Sequence, residues 1–552
     1  MIRYIFFTTW IMICCLGMCP AAQAADNSGN QPVPGIQANG RDIAITVSSG
    51  TPVSVTAGLA TGDRTGVLAD WWFAASTPWG LYSLSDSGWS QGINMLVQYP
   101  LFDFSGATVC SFSLPIGYYA FFFGVDTNPD GVLGAPLFYN RVQVHVSDTV
   151  SGAYSQSGGS AARADQTFFT ATTDESGVRV ANGGALTLEN VTVTTTGNTS
   201  SSDSSSFYGL NAGVLAESLS NITLSNSSVI TSGTGANGVF ATGSGSSAAL
   251  SNVTIEASGD GGHGVMATAG GSLSLADVII NTSGAHGAAV STDRGGGTIT
   301  VTRGIAISSG QDSPGIYSTG TITARDAVIS GTGSEGAVIE GANSILLTNT
   351  ILSGAKGTRD RGALIYQSMS GDAQGTEGTF TMTGGTFNWP STTGPAFYVT
   401  NSTGVITLKD VTVVSSSGTL LKAGADQWGT SGANGGTVIF TADGETLTGN
   451  MVADSLSSIT ARLQNGSSLT GAINSAKTAG AAVLSLDATS TWTVTADSYL
   501  TSMSDADGIS AGTITNINGN GHNVYYNASL TANSALGGKT YTLNGGGYLA
   551  PK

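Results

Sequence analysis

The chain has 552 residues and a formal net charge of −17, yet only 10% of its residues are charged. A nucleic-acid-binding surface requires clustered Lys and Arg, and the sequence contains no such cluster, which excludes nucleic acid as a partner. Of the four cysteines only Cys110 lies beyond the first 19 residues, so a scaffold held together by disulfides or by a cysteine-bound metal is excluded as well.

The first 24 residues are typical of a secretory signal peptide. Arg3 provides a positive charge, residues 4–19 are almost entirely apolar, and Ala22-Gln23-Ala24 matches an A-x-A cleavage site. We therefore expect a mature protein that begins at Ala25 and is secreted or exposed at the cell surface. No later stretch approaches the ~20 apolar residues of a membrane-spanning helix, so no transmembrane span is expected.

Three segments follow the signal peptide. Residues 25–40, with Pro32 and Pro34, are predicted to be a flexible lead. Residues 41–147 are rich in Trp, Phe and Tyr and contain about seven short segments of β-strand composition, which favours an immunoglobulin-like β-sandwich. Residues 148–166 are rich in Ser, Gly and Ala, and are predicted to be a linker or the first loose turn of the next module.

From about residue 167 the sequence repeats itself. A glycine precedes an apolar triplet, a turn follows, and a segment that alternates apolar and polar residues closes on Ser/Thr-Gly. The leading glycines are Gly213, Gly238, Gly264, Gly287, Gly315, Gly336 and Gly362. The period of roughly 21 to 28 residues is that of one supersecondary unit per repeat.

The repeats predict strands that stack into a solenoid. Apolar and polar residues alternate at period two, and Val, Ile and Thr dominate, which favours strands over helices. Because one such unit cannot bury its apolar face alone, we predict a parallel β-helix over residues 167–444. Residues 445–552 repeat about every 22 residues, and are predicted to form the last β-helix coils and a cap.

Several stretches carry a resemblance to known bacterial proteins. Residues 186–424 resemble the passenger domains of secreted bacterial adhesins and autotransporters, which are right-handed parallel β-helices. SSITARLQNGSSLTGAIN and LGGKTYTLNGGGYLAPK look like the ending shared by many bacterial surface β-helix proteins, and ADWWFAASTPWGLYSL resembles part of a small exported β-sandwich module. The resemblance implies an all-β protein, a β-sandwich followed by a right-handed parallel β-helix. It departs from autotransporters because the sequence lacks their outer-membrane barrel, so unaided self-export is not expected.

A calcium loop is one candidate site. Asp126, Asn128 and Asp130 form a D-x-N-x-D-G pattern, which places three oxygen ligands at alternate positions before a turn glycine. The glutamate expected at the twelfth position is replaced by Leu137. The same residues also suit an ordinary hairpin turn, so both interpretations stay open, with calcium the one candidate cofactor.

Aromatic residues in the β-helix are the second candidate site. Trp389, Tyr398 and Trp428, with Trp492, are predicted to be exposed and to stack on sugar rings, or else to belong to the core or cap.

Other patterns are weaker. Arg359-Asp360-Arg361 is the densest charge cluster and would suit a polysaccharide lyase or hydrolase, but the carboxylates from successive coils that such enzymes need are not recognisable. His263 and His286 occupy matching repeat positions, where they could share a metal, although no carboxylate or cysteine accompanies them. Thr-x-Thr runs, as at Thr298–Thr302, would suit ice binding only if consecutive coils continued them, which is not expected.

These features together favour a non-enzymatic surface or secreted rod that binds a polysaccharide or a host or cell-surface protein, in the manner of an adhesin. A polysaccharide lyase or hydrolase and a purely structural matrix protein are the alternatives. The sequence leaves the oligomeric state open.

Overall fold

The structure is a computed structural model that describes residues 31–42, 45–48, 52–115, 117–134, 136–147, 151–505 and 508–552. The signal peptide expected at residues 1–24 lies outside these residues. The chain divides into two compact units, Met1–Val150 and Ser151–Lys552.

The first unit consists of two mainly antiparallel sheets around one apolar core. A three-stranded sheet has the order β1-β3-β8, and a seven-stranded sheet has the order β2-β10-β9-β4-β5-β6 with β7 paired to β4. Both sheets contribute buried side chains to the core, among them Ile36, Val55, Trp71 and Phe121. The strands are β1 (Val33–Ala38), β2 (Ile45–Ser48), β3 (Pro52–Ala60), β4 (Leu68–Thr77), β5 (Gly80–Ser85), β6 (Gly88–Gln91), β7 (Val97–Pro100), β8 (Phe104–Ser113), β9 (Gly117–Asp126) and β10 (Leu137–Ser147), with a 3₁₀ turn at Gly62–Arg64.

The structure differs from the sequence prediction at the start of this unit. Val33–Ala38, within the segment predicted as a flexible lead, is strand β1 and pairs antiparallel with β3 from Val33–Ala60 to Ala38–Val55. Pro34 does not prevent this because β1 is an edge strand, where a missing N–H is tolerated.

The second unit is a parallel β-solenoid of about 15 turns. Its first strands are β11 (Ser151–Ser157), β12 (Ser160–Ala164), β13 (Thr167–Thr170), β14 (Glu175–Ala181), β15 (Ala185–Glu189), β16 (Thr192–Thr195), β17 (Val214–Glu217), β18 (Asn221–Thr231), β19 (Val239–Thr242), β20 (Ser247–Ala257), β21 (Val265–Thr268), β22 (Gly271–Thr282), β23 (Val290–Thr292), β24 (Gly297–Ser308), β25 (Ile316–Ser318), β26 (Thr321–Gly331), β27 (Ala337–Glu340), β28 (Ser344–Ser353), β29 (Ala363–Tyr366), β30 (Glu377–Trp389), β31 (Phe397–Thr400), β32 (Ser402–Lys409), β33 (Thr412–Ser415), β34 (Thr419–Ala423), β35 (Gly436–Asp443). The later strands are β36 (Thr446–Thr448), β37 (Asn450–Ala453), β38 (Ser458–Gln464), β39 (Ser468–Thr470), β40 (Ala481–Leu486), β41 (Thr491–Thr493), β42 (Ser498–Leu500), β43 (Ser502–Ser504), β44 (Ile509–Ser510), β45 (Thr513–Asn518), β46 (Val524–Tyr526), β47 (Tyr541–Asn544) and β48 (Tyr548–Pro551). One helix, α1 (Ser202–Tyr208), and a 3₁₀ turn at Thr531–Leu536 complete it.

Three sheets run along the solenoid. A twelve-stranded sheet of short strands, called here the short-strand sheet, runs from β11 through β17, β25 and β31 to β37. A seventeen-stranded sheet, the long-strand sheet, runs from β12 to β43, and a nine-stranded sheet lies at the C-terminal end. The predicted fold class, a β-sandwich followed by a right-handed parallel β-helix, is confirmed.

The long strands bend at one residue per coil, and these residues stack. Asn226, Asn252, Asp277, Arg303 and Asp326 all have a positive φ between 49° and 55°, which Asn and Asp adopt more readily than most residues. Side chains connect neighbouring coils here: Asn252 donates to Asn226 over 2.8 Å, and Arg303 contacts both oxygens of Asp277 at 2.8 Å. The bend turns each long strand around a corner of the solenoid.

The segment predicted as a linker carries strands where it is described. β11 and β12 lie within residues 151–164 and pair in parallel with β14 and β15. They belong to the first coil because their backbone groups find partners in the next coil, even though few of their side chains are apolar.

The C-terminal end of the solenoid is closed by a hairpin. β47 pairs in parallel with β45 and antiparallel with β48, which in turn pairs in parallel with β46. An open sheet edge would expose unpaired backbone groups and invite aggregation. The hairpin joins the two edges to each other and buries Leu543 and Leu549 beneath it.

A column of glycines allows the coils to approach closely. A Cβ atom at Gly259 would lie 1.9 Å from the carbonyl oxygen of Gly233, and one at Gly284 would lie 2.0 Å from the carbonyl oxygen of Gly259. No side chain fits such a distance, so each coil needs glycine at this point.

Replacing a glycine of this column should therefore destabilise the solenoid. We expect Gly259→Ala to lower the free energy of unfolding by about 2–3 kcal/mol, because the backbone of adjacent coils must separate. Gly424→Ala is the control, since the nearest atoms to its Cβ would be side-chain atoms of Asp454, Lys422 and Tyr398 at 3.4 to 3.6 Å, and we expect a change within about 0.5 kcal/mol. Urea unfolding followed by circular dichroism measures both, and equal losses would contradict the close-approach explanation.

Candidate functional site

The outer face of the short-strand sheet carries a second set of buried side chains. Alternate residues of a strand point to opposite faces. Val338, Leu364 and Tyr398 are in register on β27, β29 and β31 and form an outer cluster with Tyr366 and Tyr317. Tyr317 is partly buried and the others are buried, although they lie outside the solenoid core. Three excursions of the chain, at residues 198–212, 367–376 and 424–435, contact the outer face; Trp428 of the third packs against this cluster, and Ser368 of the second bonds to Glu340.

The first excursion, a serine-rich loop in sequence terms, contains helix α1. The Ser201 side chain caps it by accepting a hydrogen bond from the Ser204 N–H. Two contacts hold it on the outer face: the Thr268 hydroxyl donates to the Phe207 carbonyl over 2.7 Å, and the Arg294 guanidinium lies 3.7 Å from the Phe207 ring centroid. The serine-rich excursion thus covers part of the outer face of the short-strand sheet.

Glu340 is the most heavily bonded carboxylate of the face. Tyr366 donates to its Oε2 over 2.8 Å, and the Tyr317 hydroxyl donates to the same oxygen. Its Oε1 accepts from the Ser368 hydroxyl and from the Ser368 N–H at 3.3 Å. Four donors satisfy this buried carboxylate, which makes it a structural anchor for the second excursion.

Asp293 lies on the same outer face, two coils before Glu340. Burial raises its pKa to about 7, and the charges of Asp372 and Glu340 add to the effect, against the hydrogen bond from the Arg294 N–H. Arg294 itself binds Asp372 through Nε at 3.0 Å and Nη2 at 2.6 Å. Arg294 therefore links the second excursion, through Asp372, to the Phe207 ring of α1.

Arg361 is buried beneath the third excursion. Its Nε lies 3.1 Å from Glu335 Oε1 and its Nη1 lies 3.1 Å from Asp426 Oδ2. The guanidinium also lies over two rings, 5.2 Å from the centroid of Tyr398 and 5.0 Å from that of Trp428. Two carboxylates and two aromatic rings therefore compensate this buried charge, which would be very costly alone.

Arg359 lies at the surface above the same tryptophan. Its guanidinium is 4.7 Å from the Trp428 ring centroid, and the Tyr366 ring lies 4.5 Å from that centroid. No ion pair joins Arg359 to any carboxylate among the residues that the structure describes. The stacking orients a planar five-donor cation toward solvent, an arrangement suited to a carboxylate or sulfate.

Of the two interpretations left open for the candidate aromatics, exposed residues or core and cap residues, the structure gives the buried one for most of them. Trp389 and Trp492 are 0% exposed in the solenoid core, and their indole N–H groups donate to the carbonyls of Gly394 and Gly471 at 2.9 Å. Tyr398 is buried as well, and burial raises its pKa to about 12. Trp428 alone is partly exposed, and the guanidinium groups and Tyr366 occupy its ring faces.

Asp360 is held by its surroundings. Ser391 donates to its Oδ1 over 2.5 Å, Thr393 donates to Oδ2, and Lys356 Nζ lies 3.2 Å from Oδ2. Partial burial raises the pKa of Asp360, but these donors outweigh it and the net shift is downward. A carboxylate that binds its proton this weakly is a poor general acid, so Asp360 does not suit the acid role in hydrolysis.

The Asp126 loop is a turn held by its own side chains. Asp126 Oδ1 accepts from the Asn128 N–H at 2.9 Å and Oδ2 accepts from the Gly134 N–H at 2.7 Å. Asn128 donates to Asp130 over 2.8 Å, and Asp130 accepts from the Val132 N–H at 2.9 Å. The bonds from the Asn128 and Val132 N–H groups are those of Asx turns. Among the described residues, no three His, Cys, Asp or Glu side chains are grouped as metal ligands, so calcium stays a prediction at this loop.

The two histidines do not stack. Val265 is in register with Val290, so His263 lies beside Ala288 and not beside His286. The repeat containing Gly287 is two residues out of step with the alignment of leading glycines. His263 Nδ1 accepts the Ala288 N–H at 3.0 Å, and burial lowers its pKa to about 4. The two histidines therefore do not form the stacked pair that a shared metal site would need.

The threonine pairs are closer in space than expected. Thr298 and Thr300 are directly in register with Thr321 and Thr323 of the next coil. The following coil has Ser344 and Leu346 at these positions, which interrupts the ladder.

Sequence reasoning missed Glu340, although a signal was present. Glu217, Glu340 and Tyr366 each follow a leading glycine by four residues, and that offset corresponds to one outward column. Reading the repeats by column instead of by chemical motif would have found these side chains.

No family model, curated protein or solved structure matches the chain. No helix in the described ranges is long and apolar enough to cross a membrane.

The raised pKa of Asp293 predicts a pH-dependent stability. Between the ordinary value of 3.8 and about 7, the unfolded chain releases this proton while the folded chain keeps it, so the free energy of unfolding falls as pH rises through that range. Asp293→Asn should flatten this fall and should stabilise the protein relative to wild type above pH 7. Urea midpoints across the range measure it, with Glu377→Gln, which alters an exposed carboxylate of β30, as the control. An unchanged slope in Asp293→Asn would contradict the assignment.

Proposed function

We propose that the protein is an exported, non-enzymatic surface or secreted rod that binds glycans, in the manner of an adhesin. The contact point is the Arg359 patch, defined as Arg359, Trp428, Tyr398 and Lys422. The observation that carries the proposal is the Arg359 guanidinium, exposed, oriented by stacking on Trp428, and unpaired with any acid among the described residues.

The solenoid suits a presenting role. Its coils are joined by continuous parallel ladders around one core cluster, so each coil contacts mainly its neighbours and the structure extends along one direction. A surface patch on such a scaffold is held rigidly, which reduces the entropy lost when a ligand binds. Export is inferred from the features of residues 1–24.

The chemistry of the patch favours an anionic glycan over a neutral one. Arg361 is already paired with Glu335 and Asp426. The guanidinium N–H groups of Arg359 form no ion pair with a carboxylate of the described residues. Lys422, with its Nζ 5.1 Å from the Tyr398 ring centroid, adds a second exposed cation. Guanidinium groups bind carboxylate and sulfate in pairs of parallel hydrogen bonds.

The alternatives have less support. A lyase or hydrolase needs accessible acid and base groups, but Asp360 is bound by three neighbours, and the excursions cover Asp293 and Glu340. A purely structural matrix protein would not need an oriented, unpaired guanidinium. A protein ligand would have to supply the same acidic groups.

A glycan array with the full chain is the first test. We expect binding to uronate-containing or sulfated glycans without depolymerisation, and a loss of about tenfold or more in affinity in Arg359→Ala, as removal of one charge-assisted contact implies. Arg325→Ala is the control because Arg325 is an exposed arginine of the long-strand sheet.

Three results would contradict the proposal. Cleavage of any polysaccharide would establish an enzyme, and silence across the array would favour the matrix protein or a protein ligand. Equal losses in Arg359→Ala and Arg325→Ala would indicate attraction by overall charge without a defined patch.

A further inference from the structure

The Arg359 patch belongs to a longer row of cations over aromatic rings. In the second half of the solenoid, six such contacts fall on the outer side of the short strands. They are Arg359 and Arg361 over Trp428, Arg361 and Lys422 over Tyr398, and Lys477 and Lys552 over Tyr499.

The strand register places three of these residues, Tyr398, Lys422 and Tyr499, in one column. Tyr398 is in register with Lys422, and Lys422 with Val452. The column continues through the Met451–Ile473 bridge, and the Tyr499 N–H donates to the Ile473 carbonyl over 3.1 Å. Tyr499 is then in register with Tyr525.

The far end of the row is a second cluster, called here the C-terminal cluster: Lys477, Tyr499, Tyr525 and Lys552. The two tyrosine rings stack with centroids 4.9 Å apart and planes 6° apart. Lys477 Nζ lies 4.2 Å and Lys552 Nζ lies 5.5 Å from the Tyr499 centroid. Both lysines are exposed, so two ammonium groups converge on one half-buried ring.

The charges of this cluster are not consumed by ion pairs. Neither lysine lies within salt-bridge distance of a carboxylate in the described part of the chain. Asp497 is the nearby acid, and it acts on Lys477 through space only. In a chain with 18 Lys and Arg against 35 Asp and Glu, such a convergence creates a local positive site that attracts anions.

We propose that a linear acidic polysaccharide lies along this face, with its carboxylate or sulfate groups at the Arg359 patch and at the C-terminal cluster. The inference rests on the proposed function and adds the ligand class, its direction and a second contact point. Five coil steps separate Tyr398 from Tyr525, about 24 Å at the spacing of neighbouring strands. A polymer spans that distance, and its second contact is made at a high effective concentration once the first is formed.

The test compares ligand length and cluster variants by calorimetry on the full chain. The ligands are polygalacturonate, galacturonate oligomers too short to reach both clusters, and neutral dextran. We expect the polymer to bind at least tenfold more tightly per chain than the short oligomers, dextran not to bind, and added salt to weaken binding.

Two double variants with equal loss of charge separate the C-terminal cluster from overall charge. Lys477→Ala with Lys552→Ala should weaken polymer binding about tenfold or more and bring it close to that of the oligomers. Arg325→Ala with Lys409→Ala removes the same charge from the long-strand sheet and should leave binding nearly unchanged. Thermal unfolding checks that all variants remain folded.

The outcomes distinguish this inference from the proposed function. Polymer binding that is lost in Arg359→Ala but intact in the Lys477 and Lys552 variant, or that does not depend on ligand length, would overturn the extended site and leave the glycan-binding patch standing. Equal effects of the two double variants would also overturn it. Absence of binding to every glycan would overturn both proposals.

Discussion

Parallel, in-register hydrogen bonding between successive coils is the constraint on which the solenoid depends. The Val214 N–H donates to the Gly238 carbonyl at 2.9 Å, and the Val239 N–H donates to the Gly264 carbonyl at 3.1 Å, and the same pattern recurs along the unit. Each residue therefore lies directly above the equivalent residue of the previous coil, about 4.8 Å away. Side chains that cannot tolerate a neighbour of their own kind at that distance are excluded from the column.

This constraint explains both the glycine column and the corner column. Glycine stacks on glycine where coils approach too closely for a Cβ. Asn, Asp and Arg stack at the bend because they hydrogen-bond to each other across coils, as Asn252 does to Asn226. Along the inner face Val, Ile and Leu stack into a single core, and burial of their apolar surface supplies the main stabilisation.

The outer face of the short-strand sheet shows how the chain stabilises charges that the stacking brings together. Hydroxyl donors surround Glu340, and Glu335 and Asp426 pair with Arg361. Burial raises the pKa of Asp293, and its acidic neighbours add to the effect. Excursions of the chain cover these groups and strengthen their hydrogen bonds by excluding water. The exposed Arg359 and Lys422, which have no ion-pair partner among the described residues, are the basis of the binding role proposed for this face.

A rigid column also determines how a ligand can be recognised. The Arg359 patch lies on the short-strand sheet and the C-terminal cluster on the nine-stranded sheet, and the Met451–Ile473 bridge links the two sheets within one solenoid. Their separation is therefore better defined than it would be between flexibly linked modules. Under the proposed mode of binding, weak individual contacts would combine along an extended ligand, so that affinity would rise with ligand length.

The sequence by itself determined that the chain is an all-β solenoid preceded by a β-sandwich. Period-two alternation and recurring glycines are local patterns, and only stacking can bury the apolar face they define. The positions of individual coils were less accessible. Gly287 looked like a leading glycine, yet Val290 is the residue in register with Val265, because hydrogen bonding and not similarity of short phrases sets the alignment.

Only the tertiary structure decided which side chains are available for function. Trp389 and Trp492 sit in alternating segments where a large aromatic suits either face, and the fold turned both inward. Arg359 and Arg361 are two residues apart and have similar surroundings in sequence. Arg361 is buried between carboxylates, whereas Arg359 stacks on Trp428 at the surface. Lys477 and Lys552 lie 75 positions apart, and they meet over Tyr499 because successive coils bring distant residues to one column. The exposure and charge pairing of a side chain depend on the neighbouring coils and on the excursions that cover it. These neighbours are distant in sequence, so a local pattern does not reveal them.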